Sequence, residues 1–388
     1  MNMKMVYMTL NGDIPSRKAN GIGVINICSQ FADCGFDVEL ILLKYKSLTP
    51  DLINNKINVF DFYSVTENFK IKYLSIPFFL SFPRQLGYSA VAVLRKAFSG
   101  NSLFYSRHVE LAFFAALFGK ISVFESHNYL KARQSPVYHL WLKTMQNRFK
   151  KTALIVTTQA GKKSYIQDEV PEDKILVEPN GVNKNQFDIS KSIETLKSTI
   201  QIPIDKKTVG FCGHLYKGRG IEELLECADY LKKVFFLIVG GEPEDINRNK
   251  KLAKKFNLAN VKFTGFVPQS KVPEYLLASD ILVMPYTKKT LTHRYMSPMK
   301  MFDYLACGRP IVATDFPVIR EVLKDRKNAV LVPQGSGHDI AAGIKWFIDN
   351  PESAKRISEQ AAKDALQHTW EIRAKRITEW LRKIFKIH

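Results

Sequence analysis

The chain is short of several features that would define its chemistry at once. Its five cysteines in 388 residues (Cys28, Cys34, Cys212, Cys227 and Cys307) form no Cys-x-x-Cys pair and no Cys/His metal spacing. An odd number of thiols without a framework argues against a disulfide-stapled secreted domain and for reduced thiols in the cytoplasm. No apolar run approaches the roughly 20 residues that span a bilayer. "LAFFAALF" is the most apolar stretch and reads as a buried helix. The opening "MNMKMVYMTL" reads as a strand start rather than a signal peptide, which would carry a longer apolar core and a cleavage site. Asp-x-Asp, a common carboxylate pair for a diphosphate-bound metal, does not occur, nor do Gly-x-Ser-x-Gly and His-Glu-x-x-His. "NGIGVIN" lacks the third glycine of a dinucleotide fingerprint, and "QAGKKSY" and "GHLYKGRG" are only fragments of a phosphate loop. The expectation is a cytoplasmic chain that needs no metal and no organic cofactor.

Acid is scarce as well. With 57 basic and 37 acidic residues the net charge is +20, which favours an anionic partner. Between Glu125 and Asp168 there is no acidic residue at all, while Lys131, Arg133, Lys143, Arg148, Lys150, Lys151, Lys162 and Lys163 fall there. "SPVYHLWLKTMQNRFKK" in that window, and "SIPFFLSFPRQLGYSAVAVLRKAF" upstream, mix aromatics with basic residues. They suggest peripheral contact with an anionic membrane surface, the alternative being core aromatics beneath solvated lysines. A nucleic-acid partner is not expected, because no zinc module, RNP-type aromatic strand or recognition helix is apparent.

What the chain has in quantity is alternation. "KMVYMTL", "DVELILL", "SLFYS", "ISVFES" and "ALIVTT" read as buried strands separated by helical stretches. A second series follows: "TVGFCG", "FFLIVGG", "VKFTGF", "DILVMPY", "PIVAT" and "AVLVP". Strands alternating with helices form parallel sheets, and a chain this long exceeds one core. The expectation is α/β: two doubly wound Rossmann-like domains facing a central cleft. The first covers residues 1–184 and the second 185–369. Ligands of such sheets bind at the carboxyl ends of the strands.

Four stretches fall at strand ends. "PSRKANGIGVINICSQF" follows the first strand with a small, flexible loop. "VFESHNY" places His127 just past another strand. "FCGHLYKGRGIEELL" is a glycine-rich, basic strand-to-helix turn suited to an oxyanion. "SPMKMFDYLACGRPIVATD" spells a helix with Ser297 as N-cap, Pro298 in the first turn and Gly308 at the C-terminal cap. Free N–H groups and the positive end of the helix dipole make its start an anion site. Asp303 lies about 9 Å further along at ~1.5 Å per residue, a span that suits a diphosphate and a ribose. Lys300 and Asp303 equally fit a plain i,i+3 surface pair.

Taken in order, these motifs resemble the retaining GT-B glycosyltransferases of family 4. "ILVEPNGVNKNQF" is similar to the family's interdomain segment and "GHLYKGRGIEELL" to its GRLxxxKG stretch, with Arg219 at the lysine position. "FLIVGGEP", "VKFTGFVPQSKVPEYLLASDILVMPY" and "SPMKMFDYLACGRPIVATDFPVIREVL" resemble its C-terminal half. "HTWEIRAKRITEWLRKI" resembles its last helix, which implies that a helix at 370–388 returns to the first domain, and the 297–310 stretch is closest to a variant reading SPLKLFEYMAAGKP. The resemblance implies a UDP- or GDP-sugar donor. Arg219, with Lys217 or His214, would neutralise the diphosphate. The start of the helix at Ser297, Pro298, Met299 and Lys300 would cap it, and Asp303 would hold the ribose. The base would meet the backbone near Val267, Asn20 and Gly21 would lie near the donor phosphate, and His127 would contact the sugar. His127, Arg219 and Asp303 are thus the implied catalytic set. The acceptor would be a glycan or lipid-linked glycan in cell-surface polysaccharide or glycolipid synthesis. The family's first carboxylate of Glu-x7-Glu falls at Tyr295, and its second is shortened to Asp303. A non-transferase relative such as a nucleotide-sugar 2-epimerase is the alternative, and it would turn over donor without an acceptor.

Overall fold

The computed structural model describes residues 3–10, 14–16, 18–43, 58–74, 84–97, 102–290 and 292–387. Two compact units are formed, one of Met1–Asn180 with Trp370–His388 and one of Gly181–Thr369.

The first unit is built on seven parallel strands: β1 (Lys4–Thr9), β2 (Asp37–Leu43), β3 (Lys70–Leu74), β4 (Ser102–Ser106), β5 (Ile121–Ser126), β6 (Thr152–Val156) and β7 (Ile175–Val177). Their order is β3-β2-β1-β4-β5-β6-β7. The second unit has six: β8 (Thr208–Cys212), β9 (Phe235–Val239), β10 (Val261–Gly265), β11 (Ile281–Met284), β12 (Ile311–Thr314) and β13 (Val330–Val332), ordered β10-β9-β8-β11-β12-β13. Each sheet grows outward in both directions from a central pair, β1/β4 in one and β8/β11 in the other. The loops leaving these pairs part to opposite faces, and that switch point is where an open α/β sheet leaves a crevice.

Every strand expected from an apolar run is present, because a strand covered on both faces must be apolar throughout; β4, β5, β6, β9, β11 and β12 are buried at every position. Two strands escape that criterion. β3 is an edge strand whose sequence "KIKYL" is largely solvent-facing, with Lys72 paired to Glu39 of β2 at 2.6 Å. β7 has only three residues and precedes the unit boundary.

"LAFFAALF" lies in a buried helix, Val109–Leu117, as its composition requires. The helix expected from "SPVYHLWLKTMQNRFKK" forms as Tyr138–Gln146, but Tyr138 and Trp141 are 0% and 1% exposed. Its aromatics are therefore core, Trp141 meeting Phe124 and Tyr165 edge to face, and are not free for a membrane. The upstream "SIPFFLSFP" lies outside the described residues, while the rest of that stretch is the helix Arg84–Ala97. Among the described residues no helix is long and apolar enough to cross a membrane, and no group of three His, Cys, Asp or Glu side chains is placed to hold a metal ion.

Candidate functional site

In the second unit the site grows from β8. After Cys212 the chain turns through Gly213–Gly220 into the helix Ile221–Tyr230. Gly220 caps that helix at φ 78°, and a Cβ there would overlap the Pro285 carbonyl, so only glycine fits so tight a return. The turn carries Arg219 back to the sheet. Its guanidinium lies 4.6 Å from the centroid of Tyr216 and 5.2 Å from that of Tyr286, and it donates to Tyr216 Oη at 2.5 Å.

The helix Met299–Cys307 supplies the facing wall. Its N-cap is Pro298, in extended conformation, rather than Ser297, and no side chain caps it. Proline has no N–H to lose, so it occupies the half-in position and leaves the first helical N–H groups without an intrahelical acceptor. Gly308 closes the helix at φ 58°. Tyr304 anchors it: the Cys212 N–H donates to Tyr304 Oη at 3.0 Å, and Tyr304 Oη donates to Val283 O of β11 at 3.3 Å. The helix start is thereby fixed beside the β8/β11 switch point.

Lys300 turns inward from this helix. Its ammonium sits 3.7 Å from the Phe211 ring centroid and 5.3 Å from that of Tyr286, and Nζ is buried with no hydrogen-bond partner. A desolvated cation is costly unless paired. Burial, reinforced by Arg219, pulls its pKa down to about 7. Burial also pushes Asp303 up to about 7, with Lys300 pulling the other way. Lys300 and Asp303 are therefore not the solvated surface pair their spacing also allowed. His214 stacks on Tyr216 at 5.3 Å, and burial together with Arg219 lowers its pKa, so it is a neutral N–H donor rather than a cation.

Arg219, Lys300, Asp303 and His214 thus converge. Tyr286, Tyr216 and Phe211 complete the group, and sequence reasoning missed all three, because an aromatic at a strand end looks like core. Lys217 is exposed and lines an adjoining cavity of about 300 Å³ with Glu222, Arg248 and Lys289, a cavity that shares Tyr216 with the group but takes in none of the four. Val267 is half-buried beyond β10, Pro298 is buried, and Ser297 and Met299 are half-buried at the helix start.

The first unit holds the other predicted residues. Asn20 and Gly21 open the helix Ala19–Asp33 after β1, and Gly21 lies against Tyr63. His127 follows β5, with Nε2 against Glu125 Oε1. Glu125 is wholly buried and also meets Arg107, Arg373 and the Tyr105 hydroxyl. Burial alone would raise its pKa, but Arg107 and Arg373 more than reverse this, so the carboxylate is ionised well below the usual range. Arg107 also donates from Nη1 to Asn20 Oδ1 at 3.1 Å. Burial and then Arg107 bring His127 down to about 4. Neither Glu125 nor Arg107 was expected; the signal was a carboxylate inside "ISVFES", a strand read as buried, and an arginine directly after "SLFYS".

Two doubly wound Rossmann-like α/β domains with their polar groups at the switch points define the GT-B class of fold. Anabaena HepE in complex with UDP has this fold: the two chains superpose with a TM-score of 0.77 over 98% of this chain and 100% of that one, at 17% identity. Residues 192–364, within the second unit, match the family described as glycosyl transferases group 1. An uncharacterized glycosyltransferase of Methanocaldococcus jannaschii is 29% identical over 219 residues, 55% of this chain and 54% of that protein. The N,N'-diacetylbacillosaminyl-diphospho-undecaprenol alpha-1,3-N-acetylgalactosaminyltransferase of Campylobacter jejuni is 25% identical over 221 residues, 55% of this chain and 56% of that protein. The chain spans about half the length of the curated relatives it matches.

Proposed function

We propose that the chain is a glycosyltransferase that moves a sugar from a nucleoside-diphosphate sugar to a glycan or lipid-linked glycan. The observation that carries the reading is Lys300 Nζ, a buried ammonium without a hydrogen-bond partner, beside Arg219 and an uncapped helix start. Such a group is completed by a diphosphate, which offers anionic oxygens to both cations and to the free N–H groups. The same cations need no metal to neutralise it. Asp303, further along the helix, then accepts from ribose hydroxyls. In transfer, the bond from the sugar's anomeric carbon to the diphosphate oxygen breaks, and negative charge gathers on the leaving phosphate. Arg219, Lys300 and the helix dipole stabilise that charge where it develops. The neutral His127 accompanies the sugar without adding positive charge beside a cationic anomeric carbon. Retention of configuration, with the leaving phosphate taking the acceptor's proton, is the family 4 course and the one proposed here. The UDP in HepE and the undecaprenol-linked acceptor in the name of the Campylobacter relative support a uridine donor and a lipid-linked acceptor.

A lipid-linked acceptor would bring the chain to a membrane, and a peripheral cytoplasmic contact is part of the proposal. Phe149, 82% exposed, projects beside the exposed Arg148 and Lys151, which is apolar anchor and anion-seeking charge in one turn.

The test is a panel of UDP- and GDP-sugars scored by thermal shift, with the hits then offered acceptors. At least one nucleotide sugar should raise the melting temperature, and transfer should require an acceptor. A chain that binds none of them would refute the reading, and acceptor-independent turnover to an epimer would replace it.

A further inference from the structure

Beyond the diphosphate group, the first unit contains a buried ionic hub that the proposed chemistry does not by itself require. Arg107 leaves β4 and Glu125 is the penultimate residue of β5, neighbouring strands whose register pairs Ser106 with Phe124. Arg107 approaches Glu125 Oε1 with Nε at 3.1 Å and Nη2 at 2.9 Å, and its third nitrogen reaches Asn20 Oδ1 at 3.1 Å. One guanidinium therefore spans the helix start after β1 and the carboxylate that touches His127. Arg373 reaches the same oxygen at 3.2 Å while donating to Pro179 O at 2.8 Å. With two arginines on it, Glu125 is a permanent anion and only accepts. The His127 nitrogen facing it, Nε2, must then carry the proton, and Nδ1 is left as the acceptor of a neutral ring. The His127 side chain keeps 30% of its surface exposed although Glu125 has none, so the ring is held from below and open above.

We propose that Glu125 and Arg107 are positioning residues that fix His127 as the Nε2-protonated imidazole, so that Nδ1 accepts a hydrogen bond from a hydroxyl of the transferred sugar. This rests on the glycosyltransferase reading. The hub sets the tautomer as the buried carboxylate of a hydrolase triad sets that of its histidine. Arg107 ties the setting to Asn20, so ring and loop hold one arrangement.

The test reads the imidazole directly, by nitrogen-15 NMR of the full chain in the absence of ligand. His127 should show a single neutral Nε2–H tautomer from pH 5 to 8. In Glu125→Gln the second tautomer or the protonated ring should appear. Should that variant fail to fold with two arginines uncompensated, Arg107→Lys decides. It keeps the charge but loses the fork, and it should shift the same resonances and slow transfer from the best donor of the panel at least tenfold. An Nδ1–H tautomer in the wild type, or unchanged His127 signals in the variant that folds, overturns the inference even where nucleotide sugars bind normally. Absence of any nucleotide-sugar binding to the wild type removes the glycosyltransferase reading and with it the sugar hydroxyl.

Discussion

At the residue scale, Lys300 and Asp303 carry opposite strains. Asp303 holds its proton to about pH 7 in the folded chain but releases it near 3.8 when solvated, so its share of stability drains away as pH rises from about 4 to 7. Lys300 is the mirror case: it loses its proton near 7 when folded and near 10.5 when solvated, so stability is regained between those values. The pair together places a dip near neutral pH. Urea melts across pH should show the wild type losing ground to Asp303→Asn between pH 4 and 7; parallel curves would show that the carboxyl is not buried as described. Binding of the proposed nucleotide-sugar donor should follow a bell centred near pH 7, since Lys300 is charged below it and Asp303 above it. Arg219→Ala removes charge-assisted bonds of roughly 1.5–3 kcal/mol, and calorimetry should record donor affinity falling by about 10- to 100-fold. An unchanged Kd would place the diphosphate elsewhere.

At the scale of elements, the helix Met299–Cys307 is only as well placed as its anchor. Tyr304→Phe leaves the Cys212 N–H and the Val283 carbonyl each without a hydroxyl partner. A buried group so orphaned costs about 1–3 kcal/mol. Chemical denaturation should find that loss, with donor affinity weakened as the helix start shifts; full stability in the variant would mean that water serves as well. Gly220→Ala is a harsher change, because the added carbon meets backbone rather than a side chain that can move aside. It should leave the second unit unfolded or aggregated on expression.

For the molecule as a whole, the last helix is the connection to test. Trp370–Phe385 belongs to the first unit although it follows the second in sequence. It buries Trp370, Ile377, Leu381 and Phe385 along with Arg373. At about 1.5–3 kcal/mol for each large apolar side chain, these four alone contribute about 6–12 kcal/mol, comparable to the usual 5–15 kcal/mol margin of a domain. Deleting residues 370–388 should unfold the first unit, and limited proteolysis should then leave a resistant fragment near 181–369. Survival of the first unit would show that its sheet is stable without the helix.

Sequence by itself determined the alternation of elements and hence both parallel sheets, because strands buried on two faces and helices buried on one have different apolar periods. It also located Arg219 and the helix 299–307, since a glycine-rich basic turn and a proline-led helix are local grammar. Edge strand β3 was illegible because half-exposed strands carry no long apolar run. Only the tertiary structure decided which polar groups lose their water. "SPMKMFDYLACG" is equally consistent with a surface ion pair; packing against Phe211 and Tyr286 is what desolvates Lys300. Glu125 meets Arg107 eighteen residues before it and Arg373 far beyond it in the chain. No local pattern joins such partners, because the energy of a buried charge depends on what the fold places around it.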